Sequence, residues 1–362
     1  MKPARRLIAL AGATALLAAC QHSTLPTGTA RSQVPIPSST LALMAAKGMS
    51  PRDPILVRAY KKEAEMEVWK RGRDGRYALL KTLPICRWSG QLGPKIRQGD
   101  RQTPEGFYTV TPAQMNPNSA YYLSFDTGFP NAYDRAHARS GGNLMVHGTC
   151  SSAGCYAMTD EGIAELYAIA REAFAGGQRA FQFQAYPFRM TAENMAKYRA
   201  DPNIAFWRNL KEGSDRFEAT HEEPQIAVAN GRYVFTVSPE GEALAARKLA
   251  EDEQLVASLV GKVQPVRTLY ADGGQHPSFQ GLRALTRDLG QVSRPETLAY
   301  AGRDVPVAET KPPVQDSALV RPVGMSAAPA SRAETSRPSD GPRALVGAAS
   351  QKVAGAPGSG AE

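Results

Sequence analysis

The sequence has few cysteines and no long apolar run. Four cysteines occur among 362 residues, and none of them forms a Cys-x-x-Cys pair, which is the common spacing of a structural zinc site. Beyond the first twenty residues, no segment reaches the roughly 18 to 20 consecutive apolar residues of a membrane span. We therefore expect the bulk of the chain to be soluble.

The sequence also has no run of Lys and Arg with interleaved aromatic residues. The formal net charge is +9, but the basic residues are spread thinly along the chain. This pattern indicates no nucleic-acid-binding surface. An anionic envelope polymer or a lipid surface fits the charge of an exported chain better.

The first nineteen residues have the composition of an export signal. A basic start precedes a short apolar stretch and small residues before Cys20. The ending "LAAC" resembles the bacterial lipobox, which would make Cys20 the first residue of the mature protein and its site of lipidation. An ordinary signal peptide, cleaved after a small residue, is the alternative. Because Gln21 rather than aspartate follows, the resemblance implies a lipid anchor at the periplasmic face of the outer membrane.

Lipidation of Cys20 would leave Cys86, Cys150 and Cys155 in the mature chain. In an oxidising periplasm an odd number of cysteines leaves at least one thiol unpaired. Such a thiol is a candidate reactive group, and a buried inert cysteine is the alternative.

Composition and hydrophobic period predict an α+β chain with a mainly β domain and a low-complexity tail. The predicted order is a signal peptide at 1–19, a Ser/Thr/Pro-rich tether at 20–50 that ends in a short helix near 40–47, a mainly β domain at 51–190, an α+β and helical extension at 191–290, and a disordered Pro/Ala/Ser/Arg tail at 291–362. The segment "TDEGIAELYAIAREAFAGG" has the capping residues and apolar spacing of a helix. The tail has too few apolar residues to offset the entropy of ordering.

The segment "HGTCSSAGC", residues 147–155, combines a histidine with two cysteines. A cysteine attacks as thiolate and needs a base, and this small, flexible loop can fold the thiol of Cys155 back onto His147. Gly154 permits a tight backbone, and amides around Gly154 and Cys155 would form an oxyanion hole. We therefore predict Cys155 as nucleophile and His147 as general base.

Three other interpretations of this segment stay open. A zinc site of His147, Cys150 and Cys155 lacks a fourth ligand. A Cys150–Cys155 disulfide would leave Cys86 as the odd thiol, and a structural loop would leave the histidine without a chemical role. As a nucleophile, Cys150 is the weaker choice, because it lies close to His147 in sequence and follows no glycine. A Cys86–Cys150 disulfide, or two buried thiols, is its expected fate.

Several segments together resemble the L,D-transpeptidases with a YkuD-type catalytic domain, in their YafK-like branch. They are "MVHGT" at 145–149, "SAGCYAM" at 152–158, "GDRQTPEGFYTV" at 99–110 and "FWRNLKEGSDRFEAT" at 206–220. The resemblance covers roughly residues 54–235. It implies a β-sandwich catalytic domain with a helix after the cysteine, and no metal or organic cofactor. It also implies acyl transfer on peptidoglycan stem peptides, with Cys155 attacking the diaminopimelate carbonyl.

The sequence departs from the family pattern near the predicted nucleophile. Ala153 replaces the family's second histidine, Ala157 replaces an arginine, and the gap between the two motif elements is short. His137 lies at about the family's usual distance upstream but lacks the strand-His-Gly context, so we favour His147 as base. The acceptor of the acyl group, whether a second stem, an envelope lipoprotein or water, is left open. A hydrolase that frees a lipoprotein or cuts stems, and an inactive wall-binding lipoprotein, are the alternatives.

Overall fold

The computed structural model describes residues 29–270 and 302–308, which belong to one compact unit. The predicted signal peptide, Cys20 and most of the predicted tail lie outside the described residues. The strands are β1 (Ile55–Tyr60), β2 (Glu65–Arg71), β3 (Tyr77–Pro84), β4 (Gly106–Val110), β5 (Met115–Asn116), β6 (Ser124–Asp126), β7 (Met145–His147), β8 (Tyr156–Ala157), β9 (Phe181–Tyr186), β10 (Gln225–Ala229), β11 (Arg232–Thr236), β12 (Val266–Leu269) and β13 (Arg303–Pro306). The helices are α1 (Thr29–Ser32), α2 (Ser38–Ala46), α3 (Ala132–Ala136), α4 (Asp160–Ala175), α5 (Ala192–Lys197), α6 (Ile204–Thr220) and α7 (Pro239–Leu259), with a short 3-10 turn at Pro112–Gln114. The α+β class predicted from the sequence is confirmed.

Two sheets form the main domain. The first has the strand order β3-β2-β1-β9-β4, and the second has the order β5-β6-β7-β8. Two neighbouring pairs are parallel, β1 with β9 and β7 with β8, and the other pairs within these two sheets are antiparallel. The parallel β7–β8 pair carries the candidate site.

The core lies between these two sheets. Phe125 of β6 contacts Phe181 and Phe183 of β9, with ring centroids 5.6 and 6.2 Å apart. Tyr156 of β8 also reaches Phe183, at 5.5 Å. Because these side chains are buried, the facing rows of aromatic groups hold the sheets together as the sandwich that the family resemblance implied.

Helix α4 follows the second sheet and packs against β6 and β7. The hydroxyl of Thr159 accepts a hydrogen bond from the backbone N–H of Gly162, which caps the helix. Its buried face consists of Ile163, Leu166, Tyr167, Ala168, Ile169, Ala170 and Ala173. The predicted helix after the cysteine is therefore present, and it begins five residues beyond Cys155.

The described part of the predicted tether, residues 29–50, is packed on the domain. Ile36 and Met44 belong to the core, and the guanidinium of Arg171 in α4 donates hydrogen bonds to the carbonyls of Ser32 and Val34. The prediction of an unpacked tether over this part was wrong, whereas the short helix predicted near residues 40–47 is present as α2. Composition pointed to an unpacked segment, but isolated apolar residues can bury when a distant helix supplies the surface.

Residues 302–308 fall inside the predicted disordered tail and include a strand. β13 pairs antiparallel with β12, from Val266 opposite Pro306 to Leu269 opposite Arg303. The Asp304 carboxylate also forms a 2.6 Å ion pair with Lys197. For these residues the prediction of disorder was wrong, because average composition does not detect four residues that pair with a distant strand.

The extension beyond residue 190 shares the core of the main domain. Trp207 of α6 is fully buried, and its indole N–H donates to Glu105 Oε2 at 2.9 Å. Phe107 of β4 contacts Tyr233 and Phe235 of β11.

Among the described helices, none combines the length and the apolar character needed to cross a bilayer.

Candidate active site

The pairing of β7 with β8 brings His147 and Cys155 to one face of the second sheet. The strands run parallel, with Val146 opposite Tyr156 and His147 opposite Ala157. One residue earlier, this register sets Cys155 opposite Met145, whose backbone N–H donates to the Cys155 sulfur at 3.3 Å.

Side chains alternate along a strand, so His147 and Cys155 share a face while Val146 and Tyr156 point into the core. A strand spacing of about 4.8 Å and a rise of about 3.3 Å per residue put their backbones roughly 8 Å apart. Two side chains can span that distance.

The connection between the two strands is unusually short. Residues 148–155 join parallel neighbours, whereas such crossovers commonly need a dozen residues or more. Thr149 and Cys150 have left-handed backbone angles, with φ of 70° and 46°, and Gly154 has φ of 136°. Left-handed non-glycine residues cost about 1–2 kcal/mol each. The fold therefore holds this loop in a conformation that the chain would not adopt alone.

A disulfide joins Cys150 in this loop to Cys86, two residues after β3. The two Cα atoms lie 5.5 Å apart. This bond contradicts both the zinc interpretation and the Cys150–Cys155 disulfide, because Cys150 is already committed. Within the described residues, Cys155 is the free thiol, and no group of three or more His, Cys, Asp or Glu side chains is arranged to hold a metal ion.

His147 and Cys155 both line one pocket of about 480 Å³. Its other lining residues are Lys95, Gln98, Gly99, Arg101, Tyr121, Gly142, Asn143, Leu144, Ser151, Ser152, Ala153 and Gly154. This volume falls in the usual range for small-molecule binding sites. Lys95 and Arg101 lie in the wall contributed by residues 95–101, where Lys95 forms an ion pair with Asp100.

The imidazole of His147 is buried and held in one tautomer. Its Nδ1 lies 2.6 Å from the carbonyl oxygen of Gly148. A carbonyl only accepts, so Nδ1 carries the proton and the lone pair of Nε2 is available. The Tyr121 ring lies over the imidazole, with centroids 4.6 Å apart.

The surroundings of His147 set its protonation state. Burial lowers the pKa of His147, and the Gly148 carbonyl and the Asp160 carboxylate oppose that effect. The net lowering of the pKa favours a neutral imidazole, which is the form that a general base requires.

The thiol of Cys155 is half-buried. Its sulfur accepts from the Met145 N–H and lies 3.7 Å from the Asn143 carbonyl as a donor. Burial raises the pKa of Cys155, the Met145 N–H lowers it, and the charges of Asp126 and Lys95 act in opposite directions. With the net shift upward, the resting group is a thiol that must lose its proton to a base as it attacks.

The backbone amides of Gly154 and Cys155 converge on one acceptor. The N–H groups of Gly154 and Cys155 both donate to the hydroxyl oxygen of Ser152, at 3.2 and 3.1 Å. The same hydroxyl donates to the Cys155 carbonyl at 2.7 Å. A single oxygen therefore receives both amides, and that oxygen belongs to Ser152 in this structure. The role of Gly154 in holding an oxyanion stays a prediction.

The other candidate base, His137, lies elsewhere. It follows α3, its Nε2 is 2.8 Å from the carbonyl of Gly231, and its ring packs on Tyr133. It does not line the pocket of Cys155.

The two alanines at the family's His and Arg positions differ in their surroundings. Ala153 is an exposed residue of the pocket, whereas Ala157 is buried in β8 and pairs with the backbone of Arg87.

Sequence reasoning missed three residues of this site. Ser152 occupies the first position of the "SAGC" motif, but the serine was not given a function. Tyr121 carries no local signal, because it lies 26 residues before His147 in sequence and meets it where the Gly148 N–H donates to the Tyr121 carbonyl at 3.0 Å. Asp160 was interpreted only as part of a helix start.

Comparison with known proteins agrees with this architecture. Residues 54–175 match the family model YkuD, described as "L,D-transpeptidase catalytic domain". Two curated relatives, from Escherichia coli K12 and Escherichia coli O157:H7, are both named "Putative L,D-transpeptidase YafK". Each is 45% identical over 183 residues, covering 51% of this chain and 74% of the relative.

Two solved structures are also similar. The helical cell shape determining protein Pgp2 from Campylobacter jejuni is 16% identical, covering 65% of this chain and 81% of that chain, with a TM-score of 0.31. Bdellovibrio bacteriovorus Bd1075 is 17% identical, covering 49% and 78%, with a TM-score of 0.30.

The two-sheet fold and the family match define a protein that carries an L,D-transpeptidase catalytic domain. The chain belongs to the YkuD L,D-transpeptidase family and is a YafK-like member of it. The resemblance drawn from the sequence motifs is thereby confirmed.

Proposed function

We propose that this protein is a cysteine-dependent L,D-transpeptidase that acts on peptidoglycan stem peptides in cell-wall remodelling. The parallel register of β7 and β8 carries the proposal. It sets the free thiol of Cys155 and the basic Nε2 of His147 on one face and in the wall of one pocket. Family membership supplies the reaction class.

In the first half-reaction, His147 Nε2 takes the Cys155 proton as the sulfur attacks the carbonyl carbon of the diaminopimelate residue. Amides near Gly154 would hold the oxyanion, which would replace the Ser152 hydroxyl as their acceptor. The intermediate then collapses to a thioester, and the imidazolium gives its proton to the departing amine.

In the second half-reaction, an amine attacks the thioester, His147 takes its proton, and Cys155 leaves as the thiol. The amine would come from a second stem or an envelope lipoprotein. With water as the nucleophile, the same thioester yields a free carboxylate.

A hydrolase is the second candidate function. The rim of the pocket is open, since Ala153 is exposed and Tyr121 is 49% exposed, so water has access to a thioester at Cys155. Such an enzyme would cut stem peptides or the link between peptidoglycan and an outer-membrane lipoprotein.

We also propose that the protein is periplasmic and anchored to the outer membrane by lipid on Cys20. Support comes from the lipobox-like sequence and from the Cys86–Cys150 disulfide, since disulfides persist mainly in oxidising compartments. Mass analysis of the mature amino terminus tests the lipid. An unmodified terminus on a residue other than Cys20 would contradict it.

Incubation of the purified enzyme with disaccharide-tetrapeptide muropeptides, followed by mass spectrometry, tests the activity. We expect Cys155→Ala and His147→Gln to abolish turnover and His137→Gln, the matched control, to retain it. Cross-linked or amine-exchanged products with an added primary amine indicate transfer, and shortened stems alone indicate hydrolysis. Parent-level turnover by Cys155→Ala contradicts the proposal, and wall binding without any acyl-enzyme would indicate an inactive wall-binding lipoprotein.

A further inference from the structure

We propose that Asp160 is a positioning residue for His147 and acts on it through the peptide group between Gly148 and Thr149. Asp160 is the first residue of α4, and its Oδ1 accepts a hydrogen bond from the Thr149 N–H at 2.8 Å. The inference rests on the proposed function in one respect, since it takes His147 to be the base.

The two ends of a single peptide group make both contacts. Its N–H, from Thr149, donates to Asp160, and its C=O, from Gly148, accepts from His147 Nδ1 at 2.6 Å. A carboxylate, a peptide group and an imidazole therefore form one chain of hydrogen bonds. Because hydrogen bonds in a chain polarise one another, the carboxylate makes the Gly148 carbonyl a stronger acceptor. In serine-protease triads an aspartate contacts the imidazole directly, whereas here a peptide group lies between them.

The backbone around this peptide is shaped for the contact. A Cβ atom on Gly148 would lie 2.6 Å from Asp160 Oδ1, so any larger residue would push the carboxylate away. Thr149 adopts φ of 70°, a left-handed conformation that a β-branched residue rarely adopts. Strain of this kind persists only where surrounding contacts hold it, and it clusters at functional sites.

The charges around His147 single out Asp160. The titratable and charged groups around the imidazole are Tyr121 over its ring, Asp160 from α4, and three residues that line the same pocket: Cys155, Arg101 and Lys95, the last of which is paired with Asp100. Among these groups, Asp160 is the carboxylate whose charge raises the pKa of His147. A negative charge at this place stabilises the imidazolium that forms when His147 takes the Cys155 proton.

The helix itself does not need Asp160 as its cap. The Thr159 hydroxyl already accepts from the Gly162 N–H at 3.0 Å. Glu161, the next residue, is an exposed carboxylate in the same first turn of α4. Glu161→Gln is therefore a matched control that alters the helix end by one charge and leaves the loop contact in place.

The test compares Asp160→Asn, Asp160→Ala and Glu161→Gln with the parent enzyme. Asn retains an oxygen that can accept from Thr149 but carries no charge, whereas Ala removes both. The measurements are the pH dependence of Cys155 acylation in single turnover, kcat and KM on muropeptides, and an NMR titration of the His147 imidazole nitrogens.

We expect Asp160→Asn to lower kcat about tenfold, which is the change in rate that corresponds to the free energy of about one pKa unit. KM should change less than twofold. Loss of the charge lowers the pKa of His147, so the acidic limb of the pH profile moves to lower pH. Asp160→Ala should lower kcat further, because the peptide also loses its acceptor, and Glu161→Gln should match the parent.

A parent-like pH profile, kcat and His147 titration in Asp160→Asn would overturn the inference, as would equal shifts in Glu161→Gln. Loss of activity in Asp160→Ala that is explained by a lower melting temperature, with Asp160→Asn unchanged, would also overturn it. The NMR titration needs no turnover. Failure of the proposed function would appear separately, as activity that persists in Cys155→Ala or His147→Gln.

Discussion

The Cys86–Cys150 disulfide should carry a measurable share of the stability of this protein. The two cysteines are 64 residues apart, and in the chain-entropy model a cross-link closing a loop of that length stabilises the fold by about 4 kcal/mol. The double variant Cys86→Ala/Cys150→Ala removes the cross-link without leaving a new thiol that could pair with Cys155. We expect its melting temperature to fall by roughly 10 °C, at about 2–4 °C per kcal/mol for a domain of this size.

The disulfide also holds the loop that carries the candidate nucleophile. Cys150 is left-handed, and its N–H donates to the Met158 carbonyl at 3.1 Å. Without the cross-link, fewer constraints keep Cys155 and His147 in register, so the rate of Cys155 acylation should fall even at temperatures where the variant is fully folded.

Urea unfolding with and without dithiothreitol provides the assay. A Cys155→Ala background excludes exchange between the free thiol and the disulfide. Dithiothreitol should lower the urea midpoint of the Cys155→Ala protein and leave the urea midpoint of the double variant unchanged. The reasoning is refuted if the oxidised background protein and the double variant unfold at the same urea concentration, or if the reductant shifts both equally.

Three further outcomes follow from the same geometry. The rate of alkylation of Cys155 by iodoacetamide should rise with pH, with a midpoint above the pKa of about 8.5 for free cysteine, because burial raises the pKa of this thiol. A midpoint below that value would contradict the conclusion that the resting group is a thiol. Gly154→Ala should destabilise the protein by about 1–2 kcal/mol and slow acylation of Cys155, because φ is 136° and the new Cβ would lie 3.3 Å from Leu144. An unfolding midpoint and an acylation rate equal to those of the parent would count against this prediction. Lys61→Met should lower the free energy of unfolding by about 3–5 kcal/mol, because it leaves Glu105, its fully buried partner at 2.8 Å, without a counter-charge. In urea unfolding, Lys61→Met/Glu105→Gln should recover part of that stability, and no recovery would argue against a contribution from the pair.

Features with a short sequence range were predicted well. Helix α4 was identified from its cap and apolar spacing, and the structure has it at Asp160–Ala175. Several short motif segments, at 99–110, 145–149, 152–158 and 206–220, together identified the family, since each is a local pattern of neighbouring residues. Of the features that depend on distant partners, the Cys86–Cys150 disulfide was named in advance, as one of two fates of Cys150, and others were not predicted. The packing of Ile36 and Met44 needs the main domain, and the strand at Arg303–Pro306 needs β12.

The residue types of the site were evident without any structure: a histidine at a strand end, a glycine before a cysteine, and an odd number of thiols once Cys20 is set aside for the predicted lipidation. Which cysteine is bonded and which histidine faces the thiol depended on the assembled fold. Cys86 meets Cys150 across 64 residues, and His137 and His147 are separated by the packing of α3 against β11 residues such as Tyr233. Parallel pairing of β7 with β8 also turns one peptide group toward both His147 and Asp160. Register and long-range contacts of this kind have no local pattern, so only the tertiary structure could decide them.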